Sequence, residues 1–312
     1  MIGNFTRGKM LSDSGRAYLL LIFTTWCWGG NAILGKVAVG EISPMLLVSL
    51  RWFGVLILLL VFARHYLIRD WPVLRLHWRY ACLMGVGGFT TFNALFYIAA
   101  YSTSAINIGI LQGSIPIFVL LGSYLLYQTR ITRIQTLGVG VTLIGVVIVA
   151  AGGDFTHFLG MSLNPGDVFM LLACFLYAGY SIGLSRRPAV SALGLFTLMA
   201  LAAFVASLPL LAIEFSFFEV QMPTTTGWVV AILVTLFPSL IAQIFFIQGV
   251  GLIGPSRAGV FVNLVPVFAS IMAVFYLRET FESYHAVSLA LVLGGIWLSE
   301  HGKPKIITSS RS

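Results

Sequence analysis

Residues 258–302 read AGVFVNLVPVFASIMAVFYLRETFESYHAVSLALVLGGIWLSEHG, which is the pattern of two apolar helices joined by a short charged turn. Residues 108–152 repeat that plan at an offset of 150 and read IGILQGSIPIFVLLGSYLLYQTRITRIQTLGVGVTLIGVVIVAAG. Pro116 matches Pro266, and each proline lies in the first half of its first helix. The second helix of each copy is rich in glycine. The match indicates an internal duplication of the chain.

The overall composition indicates a membrane protein. Only 9% of the residues are charged, whereas soluble globular domains average roughly 25%, and the mean hydropathy is +0.98. Too little polar surface remains for a water-soluble fold. The cysteines Cys27, Cys82 and Cys174 all lie within apolar runs. We therefore expect them to pack as small hydrophobic side chains and not to form a disulfide framework.

Ten apolar runs of about 20 residues are each long enough to cross the roughly 30 Å of hydrocarbon in a bilayer. They are residues 18–39, 43–64, 79–100, 104–127, 132–151, 167–185, 191–213, 227–248, 256–277 and 283–300. We predict an all-α integral membrane fold of one membrane domain, with a first five-helix repeat at residues 1–152 and a second at residues 153–312. Because five is odd, the second repeat enters the membrane from the opposite side, and the two inverted repeats surround a central cavity.

The basic residues predict the orientation in the membrane, because cytoplasmic loops are enriched in Lys and Arg. With the N-terminus inside, only Lys36 and Arg278 fall on the outer side, whereas fifteen basic residues fall on the inner side. The inner residues are Arg7, Lys9, Arg16, Arg64, Arg69, Arg75, Arg79, Arg130, Arg133, Arg186, Arg187, Arg257, Lys303, Lys305 and Arg311. We therefore expect both termini in the cytoplasm. Topology explains the net charge of +8, so we expect the lipid bilayer and not nucleic acid as a partner.

Arg51 is the only ionisable residue well inside a predicted span, and such residues are functional candidates. It stands about 12 Å along its helix from the start of the run. One hypothesis is a counter-charge for an anionic group of a substrate. The alternative is that Arg51 pairs with helix-end carbonyls or extends its charge to the membrane surface. No Asp or Glu lies near the middle of any run, so a carboxylate proton relay has no obvious residue.

Two amides occupy equivalent positions of the two repeats. Asn93 in the third run and Gln243 in the eighth both lie near the expected midplane. Inverted-repeat transporters bind their substrates in that region, so the amides are candidates for hydrogen bonds to a polar substrate group. The alternative is that they only join one helix to another.

Aromatic residues form recurring patterns in the same runs. Asn93, Tyr97 and Tyr101 recur every four residues and so share one helix face. The first run carries Trp26 and Trp28, and the sixth has aromatic residues at the equivalent place. Such faces can stack on a flat ring, and we expect Trp26, Tyr97 and Tyr177 to act together. The alternative is ordinary packing or an interfacial belt. The predicted substrate-binding residues are Trp26, Trp28, Asn31, Asn93, Tyr97, Tyr101, Tyr177, Tyr180, Gln243 and Asn263.

The matched prolines predict interruptions in two helices. Pro116 and Pro266 each remove a backbone hydrogen bond and bend a helix. Together with Gly113 and Gly259 they are the predicted hinge residues, and the alternative is a static kink that shapes the bundle. Other glycines are expected to allow close helix contact, within the chain or between subunits of a homo-oligomer. They are Gly138, Gly140, Gly145, Gly294 and Gly295.

Four segments carry a resemblance to a known family: Trp28-Gly29-Gly30-Asn31, Leu50-Arg51-Trp52, the helix from Pro266 to Glu279, and Gly294-Gly295. With the ten-span duplication, they resemble the drug/metabolite transporter superfamily of the EamA type over nearly the whole chain. Within it, the chain is most similar to bacterial inner-membrane exporters of aromatic amino acids. The resemblance implies export of phenylalanine, tyrosine, tryptophan or related small metabolites from a cavity walled by the first, third, fourth, sixth, eighth and ninth spans. The mechanism we expect is alternating access.

One feature of that superfamily is missing here. The small four-helix multidrug relatives carry an essential glutamate in their first span, but this chain has no acid between Tyr18 and Gly40. Their proton-exchange mechanism therefore does not carry over. Glu279 matches the family's acidic position in the turn before the last span, where we expect it to contact a helix N-terminus or to be structural.

Two other functions stay open at this level. A second interpretation keeps the fold and assigns broad-specificity efflux of hydrophobic drugs or metabolites. A polytopic membrane enzyme is the alternative of another class, but the chain has no HExxH or clustered-acid signature. Its scattered histidines are His65, His77, His157, His285 and His301. We predict a small-molecule substrate and no catalytic, metal or cofactor site.

Overall fold

The structure is a computed structural model that describes residues 12–128, 131–153, 164–253 and 255–301. In these residues the chain is helical and has no β-strand. The apolar helices in chain order are α1 (Asp13–Val37), α2 (Pro44–Phe62), α3 (Arg64–Ala99), α4 (Ala105–Tyr127), α5 (Arg133–Ala150), α6 (Pro165–Leu184), α7 (Ala192–Phe217), α8 (Thr225–Ile253), α9 (in two parts, Pro255–Val262 and Val265–Leu277) and α10 (Ser283–His301). Helices α1 to α8 are each long and apolar enough to cross a membrane. The predicted all-α membrane fold is confirmed.

Polar side chains cap the starts of six helices, because the first backbone N–H groups of a helix have no partner within it. Thr132 and Gln135 form a reciprocal capping box at the start of α5. The other capping residues, at the starts of α1, α4, α6, α7 and α8, are Ser12, Ser104, Asn164, Ser191 and Thr224. Most of the predicted runs begin close to these caps.

Helix α3 is longer than the sequence predicts. The predicted third run begins at residue 79, but the helix already begins at Arg64, because Ala63 is the single residue that interrupts the chain after α2. The segment up to Leu74 packs on α7. From this segment, Asp70 accepts hydrogen bonds from the backbone N–H (2.7 Å) and the hydroxyl of Ser191 at the start of α7. The segment predicted to connect the second and third spans is therefore helical, and it packs against α7.

Some residues used for the orientation and motif arguments lie outside the described part of the chain. They are Arg7, Lys9, Arg130, His157, Lys303, Lys305 and Arg311.

Many helices of one half of the chain pack against helices of the other half. Helix α1 packs against α8 and α9, while its counterpart α6 packs against α3 and α4. Three further contacts join each helix to its own counterpart: α2 to α7, α4 to α9 and α5 to α10. This interlocked arrangement is the one expected of inverted repeats.

Hydrogen bonds between helix ends show which of these ends lie together on each of the two faces of the bundle. Lys36, near the end of α1, donates to the carbonyl oxygens of Ala100 and Thr103 after α3 (2.8 and 2.9 Å). On the opposite face, the Tyr80 hydroxyl of α3 donates to the carbonyl oxygen of Gly183 at the end of α6 (3.1 Å). The first face is called the acidic end here and carries Glu41, Asp167, Glu214, Glu279 and Glu282. The second face is the basic end and carries Arg64, Arg69, Arg75, Arg79, Arg133, Arg186 and Arg187.

Two carboxylates at the acidic end join helices by capping helix N-termini. Glu214, near the end of α7, accepts hydrogen bonds from the backbone N–H groups of Met45 and Leu46 at the start of α2 (3.1 Å each). Glu279 accepts two such bonds at the start of α4 (2.8 and 3.0 Å). A negative charge is favourable there, because a helix N-terminus carries partial positive charge. The expected contact of Glu279 with a helix N-terminus is confirmed.

The Glu214→Gln variant is expected to lower the free energy of unfolding by about 2 kcal/mol. The amide lacks the negative charge and keeps only one acceptor oxygen for the two backbone donors. The measurement is the fraction of purified protein that stays monodisperse after heating in detergent. Glu219→Gln is the matched control, since Glu219 is exposed beyond the end of α7. An equal loss of monodisperse protein in the Glu214→Gln and Glu219→Gln variants would contradict a specific capping role of Glu214.

Glycines let α5 and α10 approach each other within the chain. A Cβ built on Gly138 would lie 2.5 Å from the Gly295 carbonyl oxygen, and one on Gly145 would lie 2.9 Å from a carbonyl oxygen of α10. These glycines therefore serve a contact within one chain and not one between subunits. Gly140 and Gly294 differ, since a Cβ on either would meet no described atom within 4 Å. A homo-oligomer stays a prediction.

Candidate functional site

A buried cluster of three polar side chains joins α1, α2 and α3. Arg51 of α2 donates through Nη1 to Oδ1 of Asn31 (3.1 Å) and to the hydroxyl of Tyr97 (2.6 Å). The Tyr97 hydroxyl donates in turn to the same Asn31 oxygen (3.4 Å). The exposed fractions are only 6% for Asn31, 5% for Arg51 and 2% for Tyr97. The cluster therefore holds a guanidinium at a fixed place inside the bundle.

No carboxylate neutralises this guanidinium among the described residues. The ion pair present there joins Arg69 to Asp70 (3.0 Å) at the basic end. The Nε of Arg51 is buried and has no hydrogen-bond partner in the described part of the chain. Arg51 thus neither reaches the membrane surface nor pairs with helix-end carbonyls, which corrects that alternative. A buried charge with a free donor is costly until a partner arrives, and guanidinium groups are suited to carboxylates.

Aromatic rings surround the guanidinium. Its Cζ atom lies 5.7 Å from the ring centre of Trp52 and 5.9 Å from that of Tyr97. Trp52 stacks on Phe89, with 4.5 Å between centroids and 9° between planes. Ring contacts continue from Phe89 to Tyr180 (5.3 Å) and from Tyr180 to Tyr177 (5.2 Å). The predicted residues that the structure brings together are therefore Asn31, Tyr97, Tyr177 and Tyr180, with Arg51.

Sequence analysis names Trp52 only as part of the Leu50-Arg51-Trp52 segment and assigns it no role, and it does not single out Phe89. Both are apolar residues within long apolar runs, where they look like ordinary packing residues. Phe89 offers no signal in the sequence, because its contact with Trp52 depends on how α2 and α3 pack.

Asn93 lies one helical turn from this cluster on α3. It is 2% exposed, and its Nδ2 donates to the Phe89 carbonyl oxygen (2.6 Å). Its Oδ1 has no hydrogen-bond partner among the described residues. Each of the two equivalent amides follows a π-helical turn: Val86–Thr91 precedes Asn93, and Thr235–Ile241 precedes Gln243. Such turns are frequent at functional sites.

Trp28 joins α1 to α8. Its Nε1 donates to the carbonyl oxygen of Pro238 in the second π turn (3.1 Å), and its ring lies 5.3 Å from Phe246. Gln243 and Asn263 are half-buried, and neither makes a side-chain hydrogen bond with a described residue. The second half of the chain thus contributes a less polar wall than the first.

Trp26 lines an apolar groove near the basic end of α1. It is 43% exposed and stacks on Phe23, with 5.8 Å between centroids and 29° between planes. The groove has a volume of about 490 Å³. Its other lining residues are Leu19, Leu20, Ile22, Phe245 and Phe268. Trp26 therefore lies apart from Tyr97 and Tyr177 in this structure, because it is on the exposed side of α1.

Tyr101 does not continue the face formed by Asn93 and Tyr97. Helix α3 ends at Ala99, so Tyr101 lies in the turn at the acidic end and is 48% exposed. A spacing of four residues keeps side chains on one face only while the helix continues. The prediction that these three residues share one face is wrong for Tyr101.

Helices α4 and α9 are broken and not merely bent. The first break contains Gly113 and the second contains Asn263, at equivalent positions. Pro116 and Pro266 each stand in the first turn of the following part, where a missing N–H is tolerated. Gly259 lies inside the first part of α9, so it is not at the break. A hinge function of these residues remains a prediction.

The first parts of the two broken helices are packed unequally. A Cβ built on Gly109 would lie 2.4 Å from the Cβ of Ala269, and residues 105–111 are all buried. The equivalent Gly259 faces open space, because a Cβ there would meet no described atom within 4 Å. The first part of α4 is therefore closely packed against α9 at Gly109. In the first part of α9, Ala258 is buried and the neighbouring Gly259 is exposed.

The described residues contain no group of three His, Cys, Asp or Glu side chains placed like metal ligands. A polar cavity of about 290 Å³ at the acidic end is separate from the Arg51 cluster. It lies where the ends of α3 and α5 meet the starts of α4, α6 and α10.

Comparison with known proteins gives consistent matches over nearly the whole chain. The model of the EamA-like transporter family matches residues 15–151 and again residues 164–300. The uncharacterized transporter YetK of Bacillus subtilis is 26% identical over 304 residues, which cover 94% of this chain and 89% of YetK. The uncharacterized inner membrane transporter YedA of Escherichia coli K12 is 22% identical over 289 residues, covering 88% of each chain. A solved crystal structure is 18% identical to this chain, with a TM-score of 0.60, and the match covers 91% of this chain and 97% of the solved chain. The two proteins therefore share a fold.

Proposed function

This chain belongs to the EamA-like transporter family, and from that premise we propose that it exports aromatic amino acids and related small metabolites by alternating access. It is a multi-pass membrane protein whose named relatives are transporters. We propose a bacterial inner-membrane location, since YedA is described as an inner membrane transporter, and no catalytic role.

One observation carries the choice of substrate. The Arg51 guanidinium is buried, is held by Asn31 and Tyr97, and has no acidic partner among the described residues. One positive charge matches one carboxylate, and its free Nε is a donor for it. The free Oδ1 of Asn93, one turn away, is an acceptor that suits the ammonium group of an amino acid. The rings of Trp52 and its neighbours provide stacking surface for an aromatic side chain.

The unequal packing of α4 and α9 supports alternating access. We propose that the basic end faces the cytoplasm, since cytoplasmic segments are enriched in Lys and Arg. The close contact of Gly109 with Ala269 then lies on the outer side, and the exposed Gly259 lies on the cytoplasmic side. Transport exchanges these two states when the halves, residues 1–152 and 153–312, rock about the breaks at Gly113 and Asn263.

The apolar groove favours a second candidate function. It is lined only by hydrophobic side chains, including Phe23, Trp26 and Phe268, and Trp26 is 43% exposed. A hydrophobic drug or metabolite needs no charged partner and fits such a surface. Broad-specificity efflux is therefore the competing function, with the groove and not the Arg51 cluster as its binding site.

Competition for uptake separates the two functions. Purified protein in liposomes should take up labelled phenylalanine saturably, and unlabelled phenylalanine should compete. Phenethylamine, which lacks the carboxylate, should compete at least about tenfold more weakly, because it makes no bond to Arg51. Protein-free liposomes are the control. Equal competition by the two compounds, or uptake of ethidium but not of phenylalanine, would favour broad efflux.

A further inference from the structure

The cavity at the acidic end is lined mainly by polar groups. Its lining residues are Ser102, Thr103, Ser104, Asn107, Val149, Ala150, Ala151, Gly152, Asn164, Asp167 and Tyr284. Asp167 is its single carboxylate, 2% exposed, in the first turn of α6. Its oxygens accept hydrogen bonds from the Thr103 hydroxyl and from Nδ2 of Asn107 (3.3 and 3.4 Å). A carboxylate has room for further partners beyond these neutral donors.

No cation faces this carboxylate in the described part of the chain. The nearby Lys36 ammonium is bound to the carbonyl oxygens of Ala100 and Thr103. His285 accepts from the backbone N–H of Glu282 through Nδ1 (2.9 Å), so its proton lies on Nε2 and is donated to Oδ1 of Asn107 (3.3 Å). His285 therefore orients the amide of Asn107 toward Asp167 but brings no charge. A buried carboxylate without a counter-charge is costly, above all in a membrane protein.

The remaining lining strengthens the preference for positive charge. Val149 to Ala151 form the C-terminal end of α5, where the Val149 carbonyl oxygen accepts a hydrogen bond from the backbone N–H of Gly152 (3.1 Å). The C-terminal end of a helix carries partial negative charge. Carbonyl, hydroxyl and carboxylate oxygens together are the groups that bind small hard cations, and helix C-termini serve this purpose in transporters.

The duplication of the chain shows that the fold does not require this arrangement. At the offset of 150, the buried Ala17 of α1 stands where α6 carries Asp167. The first turn of α1 has its own acid, Asp13, but this side chain is exposed. Gln135 stands for His285, and Arg257 stands for Asn107. The first repeat thus has no buried carboxylate at the position of Asp167. A group that one copy has and the other lacks serves one end of the molecule and not the packing of the repeat.

We propose that the acidic-end cavity binds a small monovalent cation, with Asp167 as the charged ligand. One carboxylate supplies one negative charge, which matches a monovalent ion. The cation is either sodium or the ammonium group of a substrate on its way out. Its binding ties the start of α6 to Thr103 and Asn107 beside α4, so it favours the state in which the acidic end is closed. The cavity shares none of its lining residues with the Arg51 cluster. Binding of sodium is independent of the substrate, whereas binding of an ammonium group rests on the proposed function.

The test is the thermal stability of the purified protein in detergent at constant ionic strength. Sodium chloride replaces choline chloride in the first arm, and phenylalanine is added without sodium in the second, with 3-phenylpropionate, which has no ammonium group, as its reference. We expect a saturable rise in Tm of about 3 °C in one arm. A rise in Tm with sodium identifies the cation as an inorganic ion. A rise in Tm with phenylalanine but not with 3-phenylpropionate identifies it as the ammonium group.

Variants connect that rise to Asp167. Asp167→Asn should abolish it, whereas Asp167→Glu should retain it, since the charge is kept. Glu214→Gln is the matched control, because Glu214 is also a buried carboxylate at the acidic end but caps a helix. A wild-type protein without a rise in either arm overturns the proposal, whatever the variants do. A rise that survives in Asp167→Asn, or that Glu214→Gln abolishes equally, overturns it as well.

Discussion

Replacement of Arg51 by glutamine is expected to reduce uptake of labelled phenylalanine by about 100-fold. Glutamine is neutral and shorter, so it makes no charge-assisted bond to a carboxylate. Loss of such a bond costs about 3 kcal/mol, which corresponds to that factor. The measurement is the initial rate of uptake into liposomes at a substrate concentration below half-saturation. The protein itself should stay folded, because the variant leaves no unpaired charge in the bundle.

Three further variants show which part of the cluster matters. Asn31→Ala and Tyr97→Phe keep the guanidinium but each removes one group that holds it, so we expect a loss of about tenfold. Arg79→Gln is the matched control and should transport normally, since Arg79 is exposed at the basic end. Wild-type uptake by the Arg51→Gln protein, shown to be inserted and monodisperse, would remove Arg51 from the substrate site.

The Gly295→Ala variant is expected to lose about 3 kcal/mol of stability, whereas Gly294→Ala should be neutral or slightly stabilising. A Cβ on Gly295 would lie 2.3 Å from the Thr142 hydroxyl oxygen and 2.5 Å from the Gly138 carbonyl oxygen. The second of these is backbone, so it cannot rotate away, and α5 and α10 must separate. The neighbouring Gly294 has open space around the same position.

The two glycine variants form a matched pair on one turn of α10. Both add one methyl group to the same helix, so their effects on helix propensity are alike. The midpoint of heat-induced aggregation in detergent measures the difference. Similar midpoints for Gly295→Ala and the wild-type protein would show that α5 and α10 do not pack through these glycines.

The sequence predicts the membrane helices well because the bilayer sets their length and polarity. The breaks in α4 and α9 lie just before Pro116 and Pro266, but proline alone does not break a helix here, since Pro209 lies inside α7. Arg51 stands out because charge is rare in apolar runs. Its contacts with Asn31 and Tyr97 could not be predicted, since they depend on how three helices pack.

Other parts of the site leave no trace in local pattern. Asp167 lies in the first turn of α6, at the edge of its apolar run, so a pattern of acids in the middle of runs does not include it. The two π turns keep the apolar composition of the helices that contain them. Tyr101 was misplaced because its four-residue spacing continues past Ala99, where the helix itself ends.

The unequal packing of Gly109 and Gly259 has a kinetic consequence for a carrier of this design. Under the proposed alternating access, we expect the two states to differ in free energy, because Gly109 is in close contact and Gly259 meets no described atom within 4 Å. Without an energy source, this difference cannot produce a concentration gradient, because it affects forward and reverse cycles alike. We expect it to make the half-saturation concentration differ between the two faces of the membrane.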